Sequence, residues 1–143
     1  EMLKPELVYE IEDSFSITAG DTANANRIRR AWYRELDRLF EQYDFLVLPT
    51  AQVFPYDKNL SWPRRIADRR MDTYHRWMEV VMYGSLGGLP IVNVPVGFDA
   101  QERPMGMQVM GPYGADKKVL EFALAYEGLT DFLDRRPELV PAA

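Results

Sequence analysis

Cysteine is absent from the 143 residues, and histidine occurs once, as His75. Without cysteine, the chain has no disulfide framework, no thiolate nucleophile, no iron–sulfur cluster and no cysteine-ligated zinc. The single histidine excludes any metal site with two histidine ligands. Charged residues recur through the first thirteen positions, a pattern that does not match a signal peptide. This composition predicts a cytoplasmic protein without a bound metal or cofactor.

The chain also has fewer basic than acidic side chains. The chain has 17 basic against 22 acidic side chains, for a net charge of −5, which argues against a protein that binds nucleic acid. One predicted helix carries several arginines on its outer face, but neighbouring acids make a solvated face the favoured interpretation. These arginines are Arg29, Arg30, Arg34 and Arg38.

The longest stretch without charge covers residues 80–98, close to the length of a bilayer span. It contains Pro90, Pro95 and the pair Gly87-Gly88, which would break a lipid-facing helix. We therefore expect no membrane segment, and interpret the stretch as a helix end, a turn and a buried strand.

Hydrophobic periodicity predicts an α/β domain of three helices and three strands. Asp21 or Thr22 is expected to cap the first helix, Gly84 to end the second and Asp116 to cap the third. The first two strands are expected to be buried, the first on both faces, and the last two to form a hairpin. The expected segments are an extended or irregular lead-in at 1–22, helices at 23–43, 68–83 and after 116, strands at 45–49, 91–96 and 105–110, a long loop at 50–63, and a charged tail at 131–143.

No complete catalytic constellation is visible. Ser85 lies in Tyr83-Gly84-Ser85-Leu86-Gly87, one residue short of the G-x-S-x-G nucleophile elbow. That elbow follows a strand and precedes a helix, whereas the predicted order here is the reverse, so Ser85 is interpreted as a turn residue. No serine is followed by lysine at the third position, which excludes a local Ser-x-x-Lys motif.

Two weaker candidates involve the same region. His75 and Glu79 are four apart on one helix face and could seat a metal or orient an imidazole. A histidine and one carboxylate are an incomplete ligand set, so a structural hydrogen bond or ion pair is favoured. Gly84, Gly87 and Gly88 follow a predicted helix instead of preceding one, which disfavours a phosphate loop. A tight turn is favoured, and close backbone approach to a ligand remains open.

Four stretches carry a resemblance to a known family. Residues 85–98 read Ser-Leu-Gly-Gly-Leu-Pro-Ile-Val-Asn-Val-Pro-Val-Gly-Phe, and residues 104–111 read Pro-Met-Gly-Met-Gln-Val-Met-Gly. Residues 43–50 and 116–127 add further agreement in the same order and spacing. From about residue 27 to 130, the chain resembles the C-terminal region of the amidase signature family.

This resemblance implies part of a large α/β fold in which helices flank a mixed β-sheet. It also implies hydrolysis of small-molecule amides by a Ser–cis-Ser–Lys triad, with backbone N–H groups holding the oxyanion. The family's triad lies in an upstream Gly/Ser-rich region that has no counterpart in these residues. Residues 1–143 are therefore interpreted as a single C-terminal segment of an amidase domain, without catalytic residues and inactive by itself.

In the family, the helix before the glycine-rich turn lies near the acyl side of the substrate pocket. The resemblance thus implies that this chain supplies part of the pocket wall, although for each single side chain ordinary core packing is the favoured interpretation. The candidate wall residues are Tyr74, Trp77, Met78, Tyr83 and Ser85.

The chain departs from the family pattern at two places. Ser85 stands where many relatives have asparagine, so any role of that asparagine is in doubt here. The turn Glu102-Arg103-Pro104 replaces a common Gly-Leu-Pro and must form without that glycine.

A second function class competes with the amidase interpretation, namely a stand-alone, non-catalytic binding or assembly module. A further expectation follows from the physics of sheets. A segment of a larger sheet leaves unpaired strand edges and bare apolar surface, which predicts self-association.

Overall fold

A small antiparallel sheet forms the centre of the fold in the computed structural model, which describes residues 3–132 and 134–135. Its strand order is β1-β5-β4, and a separate two-stranded hairpin is made by β2 and β3. A 3₁₀ turn at Glu79–Val81 joins the third and fourth helices. The elements in chain order are α1 (Pro5–Ser14), α2 (Ala19–Gln42), β1 (Leu46–Pro49), β2 (Arg65–Ile66), β3 (Arg69–Arg70), α3 (Tyr74–Trp77), α4 (Met82–Gly87), β4 (Ile91–Phe98), β5 (Pro104–Met110) and α5 (Asp116–Glu127).

The sheet is centred on β5, the strand with neighbours on both sides. Val109 of β5 is opposite Val47 of β1 and Val92 of β4, and its own side chain is fully buried. The register shifts between Pro95 and Gly97, which bends β4 at a bulge. The α/β class and the predicted hairpin of the last two strands are confirmed, and both pairings in this sheet are antiparallel.

Strand β1 differs from its prediction in one respect. Its burial alternates, with Val47 50% exposed, so it is not buried on both faces. The reason is its position, because β1 pairs only with β5 among the described residues and forms an edge of the sheet.

Helix α4 packs directly on the sheet through Gly84. A β-carbon on this residue would lie 2.5 Å from Ile91 Cδ1 and 2.8 Å from Met110 Sδ, so any larger residue would force these side chains to move. The prediction that Gly84 ends a helix is therefore wrong. The helix continues to Gly87 and ends at Gly88, which adopts a left-handed φ of 65°.

Helix α2 begins earlier than its prediction. Thr18 is the N-cap, and its hydroxyl oxygen accepts from the backbone N–H of Asp21 while the Asp21 carboxylate accepts from the backbone N–H of Thr18. This reciprocal capping box lowers the pKa of Asp21, chiefly through the hydrogen bond with the Thr18 side chain. The expected caps Asp21 and Thr22 thus lie inside the helix.

The predicted irregular lead-in at 1–22 is wrong over residues 5–14, which form α1. This helix starts with Pro5 in its first turn, a position that suits proline because no N–H is needed there. None of its residues is buried, but Leu7, Val8 and Ile11 recur at helical spacing, a signal that the interpretation as an irregular lead-in misses.

The single helix predicted over 68–83 is interrupted. Residues 64–71, here called the arginine hairpin, form β2, β3 and the turn between them, and Thr73 then caps the short helix α3. The chain continues through the 3₁₀ turn into α4. Thr73 is a preferred N-cap type, and its hydroxyl oxygen accepts from the backbone N–H of Arg76 at 3.3 Å.

Helix α5 packs along β4, and its Phe122 ring lies 5.0 Å from the ring of Phe45. Ala115 is the N-cap and Asp116 lies in the first turn, so the predicted cap is wrong by one residue. Most of the predicted tail at 131–143 lies outside the described residues.

The turn between β4 and β5 forms around one carboxylate. Asp99 accepts from the backbone N–H groups of Gln101 and Arg103, both at 2.9 Å, and from Arg103 Nε at 2.7 Å. Glu102 takes a φ of 58°. Side-chain bonding to Asp99 thus accompanies a turn whose left-handed position holds no glycine.

Across the residues that the structure describes, no helix is both long and apolar enough to cross a bilayer.

Candidate substrate-pocket wall

The predicted wall residues Tyr74 and Trp77 belong to one aromatic cluster. The Tyr74 ring lies 6.3 Å from Trp62 and 6.2 Å from Trp77, in edge-to-face geometry that aromatic quadrupoles favour. Tyr56, from the long loop after β1, lies 5.7 Å from Trp77. The loop at 50–63 therefore folds over α3, and two aromatic side chains of that loop complete the cluster.

Two glutamines fix the position of α3 and of the 3₁₀ turn. Gln52 Nε2 donates to the carbonyl oxygens of Arg76 at 3.2 Å and Trp77 at 2.6 Å. Gln108 Nε2, on the central strand, donates to Pro49 O at 2.9 Å and to Val80 O at 3.0 Å. Gln108 is only 2% exposed, so these bonds satisfy a buried polar group and tie the loop and the turn to the sheet.

The indole N–H of Trp77 is different. It is buried and has no hydrogen-bond partner among the described residues. A buried donor without an acceptor costs free energy that a bound acceptor would recover. Packing alone therefore does not explain why Trp77 places its indole N–H in a buried position.

Charged side chains line the outer side of α3. Arg76 pairs with Glu79 at 3.0 Å and with Asp72 at 3.3 Å. The hydrogen bonds to Glu79 and then Asp72 raise the pKa of Arg76, and the hydrogen bond from Arg76 lowers the pKa of Asp72. At neutral pH, Arg76 is accordingly balanced by two carboxylates.

Tyr83 lies apart from the aromatic cluster. Its ring is 6.0 Å from Trp32 on α2, and its carbonyl oxygen accepts from Trp32 Nε1 at 2.9 Å. Tyr83 lines a groove of about 790 Å³ between α2 and the α3–α4 segment. Of the five candidate wall residues, it is the one that lines this groove.

The remaining two candidates occupy structural positions. Met78 is half-buried and caps the C-terminus of α3. Ser85 lies inside α4 instead of in a turn, and its Oγ donates to Val81 O at 3.1 Å. The structure thus groups Tyr74 with Trp77, and separates them from Tyr83 and Ser85.

The His75–Glu79 pair does not form. His75 Nδ1 lies 3.1 Å from Glu10 Oε1 of α1, while Glu79 binds Arg76. Within residues 3–132 and 134–135, no group of three or more histidine, cysteine or carboxylate side chains is close enough to hold a metal ion. His75 thus makes a polar contact with a carboxylate of a different helix, and the predicted contact with Glu79 is wrong.

Sequence reasoning missed two features of this region, Gln108 and the arginine hairpin. Gln108 was detectable as the one polar side chain within the apolar run 105–110. The hairpin carried a weaker signal, since its strands are two residues each and its turn is Ala67-Asp68.

Comparison with known proteins identifies the family of this fold. A family model described as Amidase matches residues 10–120, which include the aromatic cluster, both glutamines and the three-stranded sheet. The chain belongs to the amidase family.

Curated relatives of this amidase chain include two functionally different proteins. It is 33% identical over 114 residues to a subunit of the glutamyl-tRNA(Gln) amidotransferase of a Synechococcus species, and the match covers 80% of this chain and 22% of that protein. It is 33% identical over 128 residues to the fatty acid amide hydrolase of Medicago truncatula, and the match covers 85% of this chain and 20% of that protein. The chain therefore spans about a fifth of these relatives.

Solved structures show the same fold. A bacterial aryl acylamidase of the amidase signature family superposes with a TM-score of 0.83 at 21% identity, covering 94% of this chain and 29% of that one. A 6-aminohexanoate cyclic dimer hydrolase superposes with a TM-score of 0.70 at 22% identity, covering 90% and 28%. The chain thus folds as one part of the amidase signature architecture.

Proposed function

We propose that this chain is the C-terminal part of an amidase domain that hydrolyses the C–N bond of small carboxylic amides through a Ser–cis-Ser–Lys mechanism. In this proposal the reactive serine attacks the amide carbonyl, the amine leaves, and water releases the acid from the acyl-enzyme. The triad is contributed by residues other than these 143, and this chain supplies a wall of the substrate pocket.

The match of residues 10–120 to the amidase family carries the proposal of amide chemistry, and the bonding of the serine hydroxyls supports the expected inactivity of these 143 residues alone. Ser14, Ser16 and Ser85 each donate to a main-chain carbonyl oxygen within their own helix or at its end. Ser61 takes part through its carbonyl oxygen, which accepts from Tyr56. No described serine hydroxyl bonds to a lysine, and a serine without an activating base is a weak nucleophile.

Family membership supports amide chemistry but leaves the substrate open. The names of the relatives refer to fatty acid amides, aryl acyl amides and a cyclic aminohexanoate dimer, which share only the amide bond. We place the aromatic cluster against the substrate because it combines flat apolar surface with the unpartnered Trp77 N–H. Tyr83, with the groove beside it, and Met78 and Ser85 remain candidate contacts.

Hydrolysis of para-nitroacetanilide, followed by release of nitroaniline, tests this proposal. The 143-residue chain is expected to release no more than a heat-denatured sample, and a chain extended by its upstream coding sequence is expected to turn over. Turnover by the 143-residue chain that disappears in Ser85→Ala would overturn the inactivity claim. Absence of activity in the extended chain on para-nitroacetanilide and on fatty, aryl acyl and cyclic amides, the classes named for the relatives, would overturn the amidase function.

The competing function is a stand-alone binding or assembly module. It predicts a monodisperse 143-residue protein whose reading frame does not continue upstream into Gly/Ser-rich sequence. Genomic sequence immediately 5′ of the codon for Glu1 distinguishes the two, since such a continuation excludes the module.

The proposal also includes a cytoplasmic location and association between copies of this chain. The outer edges of β1 and β4 have no strand partner among the described residues, and Phe15, Leu124 and Leu129 are 84%, 72% and 86% exposed. Open strand edges and apolar surface favour association. Light scattering at rising concentration is expected to show dimers or larger species, and a clean monomer would contradict this.

A further inference from the structure

The arginine hairpin concentrates positive charge in a chain whose net charge is negative. Residues 64–71 contain four arginines and one acidic residue, Asp68, whereas the whole chain has a net charge of −5. Arg64 lies flat on Trp62, with its guanidinium carbon 3.7 Å from the ring centroid, and is held by a cation–π contact. The other three arginines are exposed and project from the two short strands.

These three arginines lack a balancing charge in the described part of the chain. Arg65 and Arg70 are direct cross-strand neighbours, an arrangement in which like charges destabilise a hairpin. Arg76 and Arg103 each pair with a carboxylate nearby, but no described carboxylate pairs with Arg65, Arg69 or Arg70. An anion bound here would relieve a repulsion that the fold itself leaves in place.

The backbone of the arginine hairpin adds to this cost. Ala67, in the two-residue turn, has a φ of 50°, a left-handed conformation that is unfavourable for an L-residue with a β-carbon. The hairpin is held at its base, where the Met71 N–H donates to Arg64 O at 3.0 Å and where Met71 and Trp62 are each 5% exposed. The buried Trp62 and Met71 thus anchor the hairpin, while its turn and strands carry an unfavourable backbone conformation and unbalanced positive charge.

A cleft of about 460 Å³ separates the arginine hairpin from α3. Arg69, Arg70 and Met71 of the hairpin line it together with Arg76 of α3 and Glu79 of the following 3₁₀ turn. Because Asp72 and Glu79 already balance Arg76, Arg69 and Arg70 are the cations that remain for a ligand. The volume lies within the range of small-molecule sites, which extends from about 300 to 1,000 Å³.

We propose that this cleft binds the carboxylate of a small-molecule amide, so that the substrate carries a negative group apart from its scissile bond. The assignment rests on the proposed function, in which the aromatic cluster contacts the substrate. Tyr74 and Trp77 of α3 belong to that cluster, and Arg76 of the same helix lines the cleft. A guanidinium fork binds the two oxygens of a carboxylate in one plane, which suits Arg69 and Arg70 to this role.

Calorimetric titration of the 143-residue chain with benzoate and with its neutral isostere benzamide tests the proposal without requiring hydrolysis. Benzoate is expected to bind saturably, and benzamide at least about tenfold more weakly, because charge-assisted hydrogen bonds are about twice as strong as neutral ones. The double variant Arg69→Gln, Arg70→Gln is expected to lose at least about tenfold in benzoate affinity. Arg34→Gln, on the exposed face of α2, is the matched control and is expected to bind as the parent does.

Several outcomes would overturn the proposal. They are absence of saturable benzoate binding, equal binding of benzamide, or equal losses in the control and in the double variant. Binding of a polyglutamate peptide but not of benzoate, dependent on Arg69 and Arg70, would replace the small carboxylate with an acidic polypeptide. Circular dichroism melts check that the variants fold.

The two proposals fail separately. Benzoate binding together with an inactive extended chain would reject the amidase function and keep the anion site. Activity of the extended chain on para-nitroacetanilide, without benzoate binding, would keep the amidase function and reject the anion site. If both proposals hold, the double variant is expected to raise KM for a carboxylate-bearing anilide by at least about tenfold more than KM for para-nitroacetanilide.

Discussion

The β4–β5 hairpin and the arginine hairpin share one backbone feature. Each turn holds a residue other than glycine at positive φ, Glu102 at 58° and Ala67 at 50°. In the β4–β5 turn, Asp99 bonds the backbone and neutralises Arg103, and the strands below it are the most buried in the described chain. In the arginine hairpin, arginine faces arginine and the strands are two residues long.

This contrast separates two uses of the same local geometry. The β4–β5 hairpin compensates its left-handed residue with a carboxylate and a packed sheet, so its structure serves stability. In the arginine hairpin, no described carboxylate compensates the left-handed Ala67 or the repulsion between Arg65 and Arg70. Uncompensated strain of this kind is typical of ligand-binding surfaces. Substitutions in the two hairpins test this contrast.

Truncation of Met110 is expected to have the largest effect. Met110 is 2% exposed and packs against Gly84, so Met110→Ala leaves a cavity and should cost about 2–5 kcal/mol of unfolding free energy. Ile66→Ala in the arginine hairpin is the matched control, and should cost less because Ile66 is only half-buried. Urea unfolding measures both, and equal losses would contradict the contrast.

The Asp99–Arg103 pair should make stability depend on acid pH. Bonding to Arg103 lowers the pKa of Asp99 below its ordinary value of 3.8, so its contribution is present above that pH and is lost as pH falls through the lower native value. Asp99→Asn should lower the melting temperature at pH 7 and flatten its decline below about pH 4.

Arg103→Gln provides the second measurement for this pair. It removes the partner and leaves the carboxylate, so the decline in melting temperature below about pH 4 should flatten here too. An unchanged acid dependence in both variants would show that the pair does not couple to folding.

Glycine at the left-handed position of the arginine hairpin should stabilise the protein. Ala67→Gly removes a β-carbon that is unfavourable at this φ, and we expect a net gain of about 0.5–1 kcal/mol after the greater chain entropy of glycine is subtracted. Ala100→Gly is the matched control, because Ala100 lacks a positive φ and should lose about 0.4–1 kcal/mol. Thermal unfolding measures the stability of both variants, and a loss of stability in both would contradict the strain at Ala67.

Reversal of one charge should give the smallest effect. Arg65→Glu places opposite charges across the two strands and should gain about 0.2–1 kcal/mol, with Arg65→Gln between it and the parent. The same variant should weaken benzoate binding. A destabilised Arg65→Glu protein would show that the arginines do not repel one another.

Much of the central sheet could be predicted from sequence, because the apolar runs 46–49 and 105–110 coincide with β1 and with most of β5. The exposed side of β1 could not be predicted, because it follows from the position of that strand at the edge of the described sheet. Helix α1 carries apolar residues at helical spacing, among them Leu7, Val8 and Ile11, but parts of the same segment also alternate, and this ambiguity accounts for the wrong prediction of an irregular lead-in. The helix predicted at 68–83 failed because the apolar spacing from Met71 onward resembles a helix until Thr73 is recognised as a cap.

The candidate site was predictable only in part. Tyr74 and Trp77 were singled out through the family resemblance, and the structure brings them together with Trp62 and Tyr56. The roles of Gln52 and Gln108 could not be read from sequence, because each bonds to carbonyl oxygens of residues distant in the chain. The polar position of Gln108 within an apolar run marks the residue but does not reveal its partners.

The hydrogen bond from Met71 to Arg64 closes the arginine hairpin at its base and brings its two ends side by side. A segment with adjoining ends can be lengthened, shortened or transplanted without redirecting the chain on either side. We therefore expect amidases to differ in the length and sequence of the arginine hairpin while the sheet and the aromatic side chains of α3 keep their positions.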